Sequence, residues 1–434
     1  MRRIYEYPLK QHIGKQVVPA VVNGDSVSRG QLVAFQGEKT LGANIYASVS
    51  GEVVSVTDTS IFIMADEDQK ADYMKLTKTE PLELIREAGI VGLGGAGFPT
   101  YAKFEKPFEG EGTVIINAAE CEPILTHNIK RIEMKPKQLL RGLQIAMEIA
   151  HATQGIIAIK AYHKEAITKL RSTNEMANIK IVELEDIYPM GEERAIIREV
   201  FGKLLPVTSL PLEANAIVIN AETACRIQEA VDDRKPFIDK DLTVAGKIAG
   251  NSKERLIQTF LDVPLGTTVA EMFRAAGGIE EGYGEIIMGG PFTGKRTTLA
   301  APIIKTTGGL IAAECFMKGP DQIGLLICAC GAGKERMEEL AQSLGSKVVG
   351  TQYCKQAQKV NGSLKCENPG RCPGQVQKVM ALKKAGAKAV LISNCTDCSN
   401  TVMSCAPKLG LAVYHCTDGA LRAVNHKLIR RIKE

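Results

Sequence analysis

The periodicity of apolar residues changes three times along this chain, and each change calls for a separate sheet with its own core. Between about residues 80 and 235, helical stretches alternate with short apolar runs. Pro81-Leu-Glu-Leu-Ile-Arg-Glu-Ala and the amphipathic Lys137–Ala152 read as helices, with others at about Lys164–Ala177 and Thr223–Val231. Thr113-Val-Ile-Ile-Asn, Gly155-Ile-Ile-Ala-Ile-Lys-Ala, Ile179-Lys-Ile-Val-Glu-Leu and Ala216-Ile-Val-Ile-Asn220 read as strands. Such alternation points to a sheet covered by its crossover helices. The same rhythm returns after residue 322. There Ile323-Gly-Leu-Leu-Ile, Ser346-Lys-Val-Val-Gly and Ala389-Val-Leu-Ile-Ser are strands, with helices running to about Leu344 and over Gln375–Ala385.

The other two segments are β-rich. Residues 1–65 hold short apolar runs (Val17-Val-Pro-Ala-Val-Val, Val27–Phe35, Ala47–Val56) separated by turn residues. Gly24-Asp-x-Val-x-x-Gly30-Gln-x-Val-Ala followed by Ser48-Val-Ser-Gly-x-Val resembles a lipoyl-type barrel-sandwich, with Glu38-Lys39-Thr40 at a hairpin tip. A carrier role for Lys39 is not favoured, because an exposed turn lysine is ordinarily a solvated charge. In residues 238–312, Thr268 precedes Val-Ala-Glu-Met-Phe-Arg-Ala-Ala, which ends at Gly277-Gly278: a capped helix with a glycine stop. A small β-grasp unit fits this pattern. The expected fold class is therefore multidomain α/β: a barrel-sandwich hybrid (1–70), a Rossmann-like unit (75–236), a β-grasp unit (237–315) and a cysteine-rich α/β unit (320–434).

Composition removes several function classes. The chain has 434 residues, 45% hydrophobic and 24% charged, a balance that excludes bulk disorder. The net charge of +5 is spread over interleaved lysines and acids, so no nucleic-acid partner is expected. Aromatics make up 5% with no Trp, which argues against stacking platforms for single strands. No apolar run reaches the roughly 18 residues of a membrane span. The start, Met1-Arg-Arg-Ile-Tyr-Glu-Tyr, has no apolar core of a secretory signal, so a cytoplasmic location is expected. The basic stretch from His426 reads as a short helix and a solvated terminus. It leaves peripheral membrane association open and says nothing of oligomeric state.

Glycine and acidic residues mark one candidate site. In Gly92-Leu-Gly94-Gly95-Ala-Gly97-Phe-Pro-Thr-Tyr-Ala-Lys103, bare backbone N–H groups could approach a large anionic ligand. Pro99-Thr100 is expected to begin a helix whose N-terminus stabilises phosphate, with Lys103 on its first turn. The alternative for the glycines alone is a flexible hinge. Asn117-Ala-Ala-Glu120-Cys-Glu122-Pro ends a strand, where the edge of a parallel sheet opens into a binding crevice. Tyr188-Pro-Met-Gly-Glu192 and Asn220-Ala-Glu222-Thr223 occupy analogous positions. Any one of these could be a capped turn, but three facing one glycine loop point to a polar ligand.

Cysteine marks a second site. Of twelve cysteines, Cys328, Cys330, Cys354, Cys366, Cys372, Cys395, Cys398, Cys405 and Cys416 lie in the C-terminal unit. With no signal peptide in sight, such a cluster reads as metal, iron–sulfur or dithiol chemistry, not as a disulfide framework. Cys395-Thr-Asp-Cys398 follows a strand and precedes a helix, a place expected to expose the first sulfur and lower its pKa. Cys328-Ala-Cys330 ends another strand and could lie beside it. A disulfide accepts two electrons, so a dithiol relay suits a hydride donor. Dithiol chemistry at Cys395, Cys398, Cys328 and Cys330 is favoured, with no metal assigned; an iron–sulfur cluster or zinc is the alternative. Cys121, Cys225 and Cys315 are expected to be buried small residues, and His12, His127 and His151 surface or core residues.

Together these motifs resemble the C subunit of the Rnf ion-translocating NADH:ferredoxin complex and, more distantly, the flavoprotein subunit of respiratory complex I. The motifs are Gly-x-Gly-Gly-x-Gly-Phe-Pro-Thr-x-x-Lys, Asn-x-x-Glu-x-Glu-Pro, Tyr-Pro-x-Gly-Glu and Asn-x-x-Thr-Ala. Pro8-Leu-x-Gln-His12-Ile-Gly and Pro302-Ile-Ile-Lys-Thr306-Thr-Gly-Gly add to them, and the resemblance covers about residues 1–315. It implies FMN and NADH as cofactors and a soluble-ligand-binding β-grasp (SLBB) domain. It also implies that Gly92, Gly94, Gly95, Gly97 and Lys103 cradle the phosphate and nicotinamide. Asn117, Glu120, Glu122, Glu192, Asn220 and Thr223 would then line the flavin and the ribose. The Cys-x-x-Cys-x-x-Cys-x-x-x-Cys-Pro runs of that Rnf protein are missing. With its cysteine-rich tail, the arrangement resembles the electron-transfer proteins associated with D-proline reductase. That likeness implies delivery of NADH-derived electrons to a partner reductase; an iron–sulfur carrier and a non-catalytic docking or assembly protein are the alternatives.

Overall fold

The structure is a computed structural model that describes residues 3–250 and 256–430. At the N-terminus, Ile4–Pro8, Ser60–Ala65, Gly51–Val56 and Ser26–Val27 form an antiparallel sheet. It faces a three-stranded sheet of Val18–Pro19, Leu32–Phe35 and Ile45–Tyr46. Tyr7, Val33, Ile45, Val53, Ile61 and Ile63 fill the core, which runs on into the next unit through Leu84, Ile85 and Ile90. Lys39 sits at a turn with φ of 52°.

The second sheet is wholly parallel, in the order Ile179–Leu184, Gln154–Lys160, Thr113–Ala118, Ala216–Asn220. Its strands are nearly continuous runs of Ile, Val and Ala because helices cover both faces. Helix Pro136–Ala150 packs one face with Leu139, Leu143 and Ala146, and helix Glu193–Phe201 packs the other with Ile196 and Ile197. The chain reverses its direction of strand addition between Thr113–Ala118 and Ala216–Asn220. A crevice therefore opens where these two strands end.

The third sheet runs Ile257–Pro264, Asp239–Gly246, Gly309–Ala313, Glu285–Met288, Lys295–Thr297, with helix Val269–Ala276 across it. That helix has the predicted Thr268 cap, reciprocated by Glu271, and the Gly277 stop. A buried ionic knot joins this sheet to the second unit. Asp241 accepts from Arg131 at 2.5 and 2.7 Å and from Arg226 at 2.9 Å, and Lys240 pairs with Glu222. Charges this deeply buried define one docking geometry more than they add net stability.

The fourth sheet is parallel again: Lys347–Tyr353, Gln322–Ile327, Ala389–Ile392, Ala412–His415. Two expectations need correction. Thr100–Lys103 is a single 3-10 turn, too short to present a helix N-terminus to phosphate. The basic stretch from His426 to Arg430 is not helical. Arg430 folds back onto Val413 O and Asp418, so backbone pairing gives way to a charge-assisted anchor, and residues 431–433 lie outside the described residues.

Candidate functional site

The glycine loop hangs over the crevice of the second sheet. Its base is closed by the Val91–Pro99 bridge and by Gly92 N–H donating to Phe98 O at 2.8 Å. Leu93 N–H donates to Thr223 Oγ1 at 3.1 Å, which ties the loop to the first turn of helix Ala221–Asp232. Asn220, register partner of Asn117 across the strand ends, caps that helix by accepting from Glu222 N–H at 2.8 Å and Thr223 N–H at 3.4 Å. Gly94 lies so close to this cap that a Cβ there would stand 2.5 Å from Asn220 Nδ2, whereas one on Gly95 would meet nothing. Gly94, Gly95 and Ala96 are exposed. The loop thus shows bare backbone at a sheet's switch point, where an anionic ligand can approach closely.

The expected carboxylates are held differently from the lysine-and-acid cradle read from sequence. Lys103 Nζ donates to Glu193 Oε1 at 2.9 Å and to Val218 O at 2.8 Å, beneath the strand end. Glu120 accepts from Asn128 N–H at 2.7 Å and Asn128 Nδ2 at 3.1 Å. Glu122 accepts from Phe292 N–H at 2.8 Å, Thr293 N–H at 2.9 Å and Thr293 Oγ1 at 2.6 Å, and its burial raises its pKa. Glu192 caps helix Glu193–Phe201 through Ala195 N–H. These acids shape the loops around the crevice. Gly97, with φ of +74°, accepts from Ile13 N–H at 3.0 Å and so ties the loop to the N-terminal unit.

In the fourth sheet every strand leads into a cysteine at its C-terminal end: Cys328, Cys354, Cys395 and Cys416. Gly331 lets the first loop touch the third, since a Cβ there would lie 2.0 Å from Ser393 O. Cys328, Cys395 and Cys398 come together as expected, and Cys330 adjoins Cys328. Sequence reasoning missed three more members. Cys354 Sγ is 4.0 Å from Cys398 Sγ, Cys366 contacts Cys330, and Cys372 contacts Cys398. The buried Gln375 amide sits at the focus, its Nε2 at 3.1 Å from Cys354, 3.5 Å from Cys372 and 3.7 Å from Cys398. A cysteine directly after its strand was the one local signal available for Cys354. Nothing local marked Gln375.

Cys395 is 1% exposed and Cys398 4%, so the expectation of an exposed first sulfur is wrong. The neighbouring Cys328 and Cys398 loops cover it. The Cys395 thiol is nevertheless held well below its usual range, chiefly by hydrogen bonds from Cys328 and Cys398, while Cys398 is pushed up by the sulfurs around it. The Gln375 amide fills the space among the sulfurs. Among the described residues no group of three or more His, Cys, Asp or Glu is arranged to hold a metal ion. Of the other cysteines, Cys225 is buried, Cys121 is half-buried as a residue but has its thiol enclosed and pushed up to about 12 by that burial, and Cys315 is exposed. The last corrects the expectation of a buried residue: it sits two residues past the end of strand Gly309–Ala313 and donates to Gly282 O.

One loop joins the two sites. Gly191 O accepts from Asn117 Nδ2 at 2.9 Å at the crevice. Three residues earlier, Tyr188 donates its hydroxyl to Cys330 O, and its backbone exchanges hydrogen bonds with Thr396. The Tyr188 ring stacks on Phe292 at 3.6 Å, and Phe292 meets His415 edge-on at 5.3 Å. Arg194, from the helix that follows the loop, donates to Cys366 O.

Comparison with known proteins places these sites in context. Residues 85–229 match the family described as the Nuo51 FMN-binding domain, and residues 1–70 match the RnfC barrel sandwich hybrid domain. Neither match reaches the sulfur-bearing unit. The C subunit of the proton-translocating ferredoxin:NAD(+) oxidoreductase complex of Clostridium ljungdahlii is 33% identical over 70% of this chain and 69% of its own length. The C subunit of the ion-translocating oxidoreductase complex of Pseudomonas aeruginosa is 31% identical over 75% of this chain but only 44% of its own length. Cobalamin reductase PduS of Citrobacter freundii is 37% identical over 53% of this chain and 49% of its own length. The likeness read from the glycine and acidic motifs is therefore one of descent: the chain belongs to the RnfC family.

Proposed function

We propose that this protein is an electron-transfer component that takes reducing equivalents from NADH at an FMN site and passes them to thiols of the C-terminal unit and on to a partner reductase. The observation that carries this reading is the 188–191 loop, which touches Asn117 at the crevice and Cys330 at the sulfur cluster. FMN, when bound, accepts a hydride and holds two electrons for onward transfer. The exposed backbone of Gly94 and Gly95 would take its phosphate. Gly92, Gly97, Asn117, Asn220 and Thr223 would shape its seat, and Glu120, Glu122, Glu192 and Lys103 would hold the surrounding loops. At the other end a disulfide among Cys328, Cys330, Cys395 and Cys398 takes two electrons and two protons to become two thiols.

The four units at 1–70, 75–236, 237–315 and 320–434 are part of this reading, the third as a β-grasp (SLBB) domain. D-proline reductase is the partner implied by the resemblance of the whole arrangement, and its site would be reached in the cytoplasm. No helix among the described residues is long and apolar enough to cross a membrane. The relatives named as members of oxidoreductase complexes support a protein partner.

Anaerobic titration of the FMN-reconstituted full chain with NADH tests the proposal. The flavin absorbance should bleach and the free thiol count should rise by two. A chain that takes up no FMN, or one whose flavin bleaches with no new thiols, refutes it. Iron with acid-labile sulfide in the anaerobically purified protein would replace the thiol relay with a cluster.

A further inference from the structure

We infer that Cys372, backed by Cys398, is the thiolate through which the sulfur cluster hands electrons to an oxidised disulfide on a protein partner. The inference rests on the thiol reading above and adds the residue at which the cluster meets its acceptor.

Position singles out Cys372. Cys328, Cys354, Cys366, Cys395 and Cys398 are buried, while Cys372 and Cys330 are partly open. Cys330 faces inward to the flavin-bearing unit, where Tyr188 holds its carbonyl. Cys372 lies on the segment between the hairpin Ala357–Cys366 and helix Val376–Lys384, flanked by the exposed Arg371 and Pro373.

The surroundings of its sulfur are those of a thiolate. Gly374 N–H donates to it at 3.3 Å and the Gln375 amide at 3.5 Å, while Thr401 Oγ1 lies at 3.2 Å. A neutral thiol is a poor acceptor, so converging donors stabilise the anion. The nearest carboxylate, Asp397, accepts from Cys372 N–H at 2.7 Å and anchors the segment. Arg371 pairs with Glu185 and Glu199 and so faces away from the sulfur. With hydrogen bonds from Cys398, Thr401, Gln375 and Gly374, the Cys372 thiol is lowered to about 6, whereas Cys354 is raised to about 11. At neutral pH the open sulfur is the anion, while Cys354 and Cys398 beside it keep their protons, the polarity a nucleophile and its resolving partner need.

The exchange balances as follows. Cys372 thiolate forms a bond to one sulfur of the partner's disulfide as that S–S bond breaks, and the other sulfur leaves as a thiolate. Cys398 then gives its proton to the partner thiolate just released and forms the Cys372–Cys398 bond, and the first partner sulfur leaves as a thiolate. The partner gains two electrons and the cysteine pair loses two.

The test uses the full chain, reduced anaerobically and desalted, with one equivalent of 5,5′-dithiobis(2-nitrobenzoate) at pH 6.5. Both halves of the probe should be released, and peptide mapping should find Cys372 joined to Cys398. Limiting iodoacetamide should label Cys372 at least tenfold faster than Cys330. Gln375→Leu should slow that labelling about tenfold, and a Gln375→Glu variant that slows it equally or more keeps the same conclusion if Leu perturbs packing. Another cysteine reacting first, or a map without Cys372 in an internal disulfide, overturns the inference. Neither readout needs flavin. Failure here with NADH still raising two thiols sinks only the assignment of Cys372; failure of the NADH titration with Cys372 still reacting first sinks only the relay.

Discussion

Gly94→Ala probes the crevice most directly, because the structure places no slack around that residue. The added Cβ would sit 2.5 Å from Asn220 Nδ2 and 3.1 Å from Asn220 Cγ, about 1 Å inside ordinary contact. Asn220 is poorly able to retreat, since it ends the strand paired with Thr113–Ala118 and its Oδ1 caps a twelve-residue helix. If the cap breaks, the cost is about 1 kcal/mol. If the loop moves instead, backbone N–H groups leave the place where a phosphate would meet them, at about 1.5–3 kcal/mol for each charge-assisted bond lost. The second figure corresponds to roughly a 10- to 100-fold weaker Kd for FMN. Gly95→Ala is the control: its Cβ meets no protein atom. It should leave thermal stability unchanged while still weakening FMN through the face it presents to the ligand. Fluorescence quenching of FMN and calorimetry of the apo chain read the two effects separately. Gly94→Ala with wild-type affinity and wild-type stability would refute the close-approach argument.

Two further outcomes follow from buried charge. Lys305 is fully buried, donates to Asn44 O and to Gly89 O at 2.7 Å, and burial lowers it to about 7. The unfolded chain binds the extra proton above that pH, so stability should rise from pH 7 toward 10 with a slope of up to about 1.4 kcal/mol per unit from this group. Denaturant titrations across that range should show a flatter slope in Lys305→Met; an equal slope would show that another group is responsible. Glu122→Gln replaces one of the two carboxylate oxygens that receive Phe292 N–H, Thr293 N–H and Thr293 Oγ1. Leaving a buried donor unpaired costs about 1–3 kcal/mol, and hydrogen exchange should quicken at residues 289–294; unchanged protection there would mean that Glu122 does not anchor this loop.

Local pattern sufficed for the elements and for part of each site. Continuous runs such as Thr113-Val-Ile-Ile-Asn read as strands buried on both faces, and Thr268 announced its helix cap, whereas the cap at Asn220 was not read from the sequence. Cys328 and Cys395 were recognisable because a residue that ends a parallel strand lies at a crevice whatever the rest of the fold does. The single 3-10 turn at Thr100–Lys103 was not legible, because the pull of Glu193 and Val218 O on Lys103 comes from 90 and 115 residues away. The acids shared that fate. Glu122 looked free to meet a ligand until the Gly290–Thr293 segment of another sheet supplied its three donors.

What the amino-acid order settled alone is the succession of sheets, the bare backbone at Gly94–Gly95 and the presence of sulfur at strand ends, since each depends on residues within a few positions. Tertiary structure alone decided which sulfurs meet, that Cys395 is covered and Cys372 open, and that Gln375 stands among them. Hydrogen bonding and desolvation act through space over a few ångströms, and only the packed sheet brings Cys354, Cys372 and Cys398 within that range.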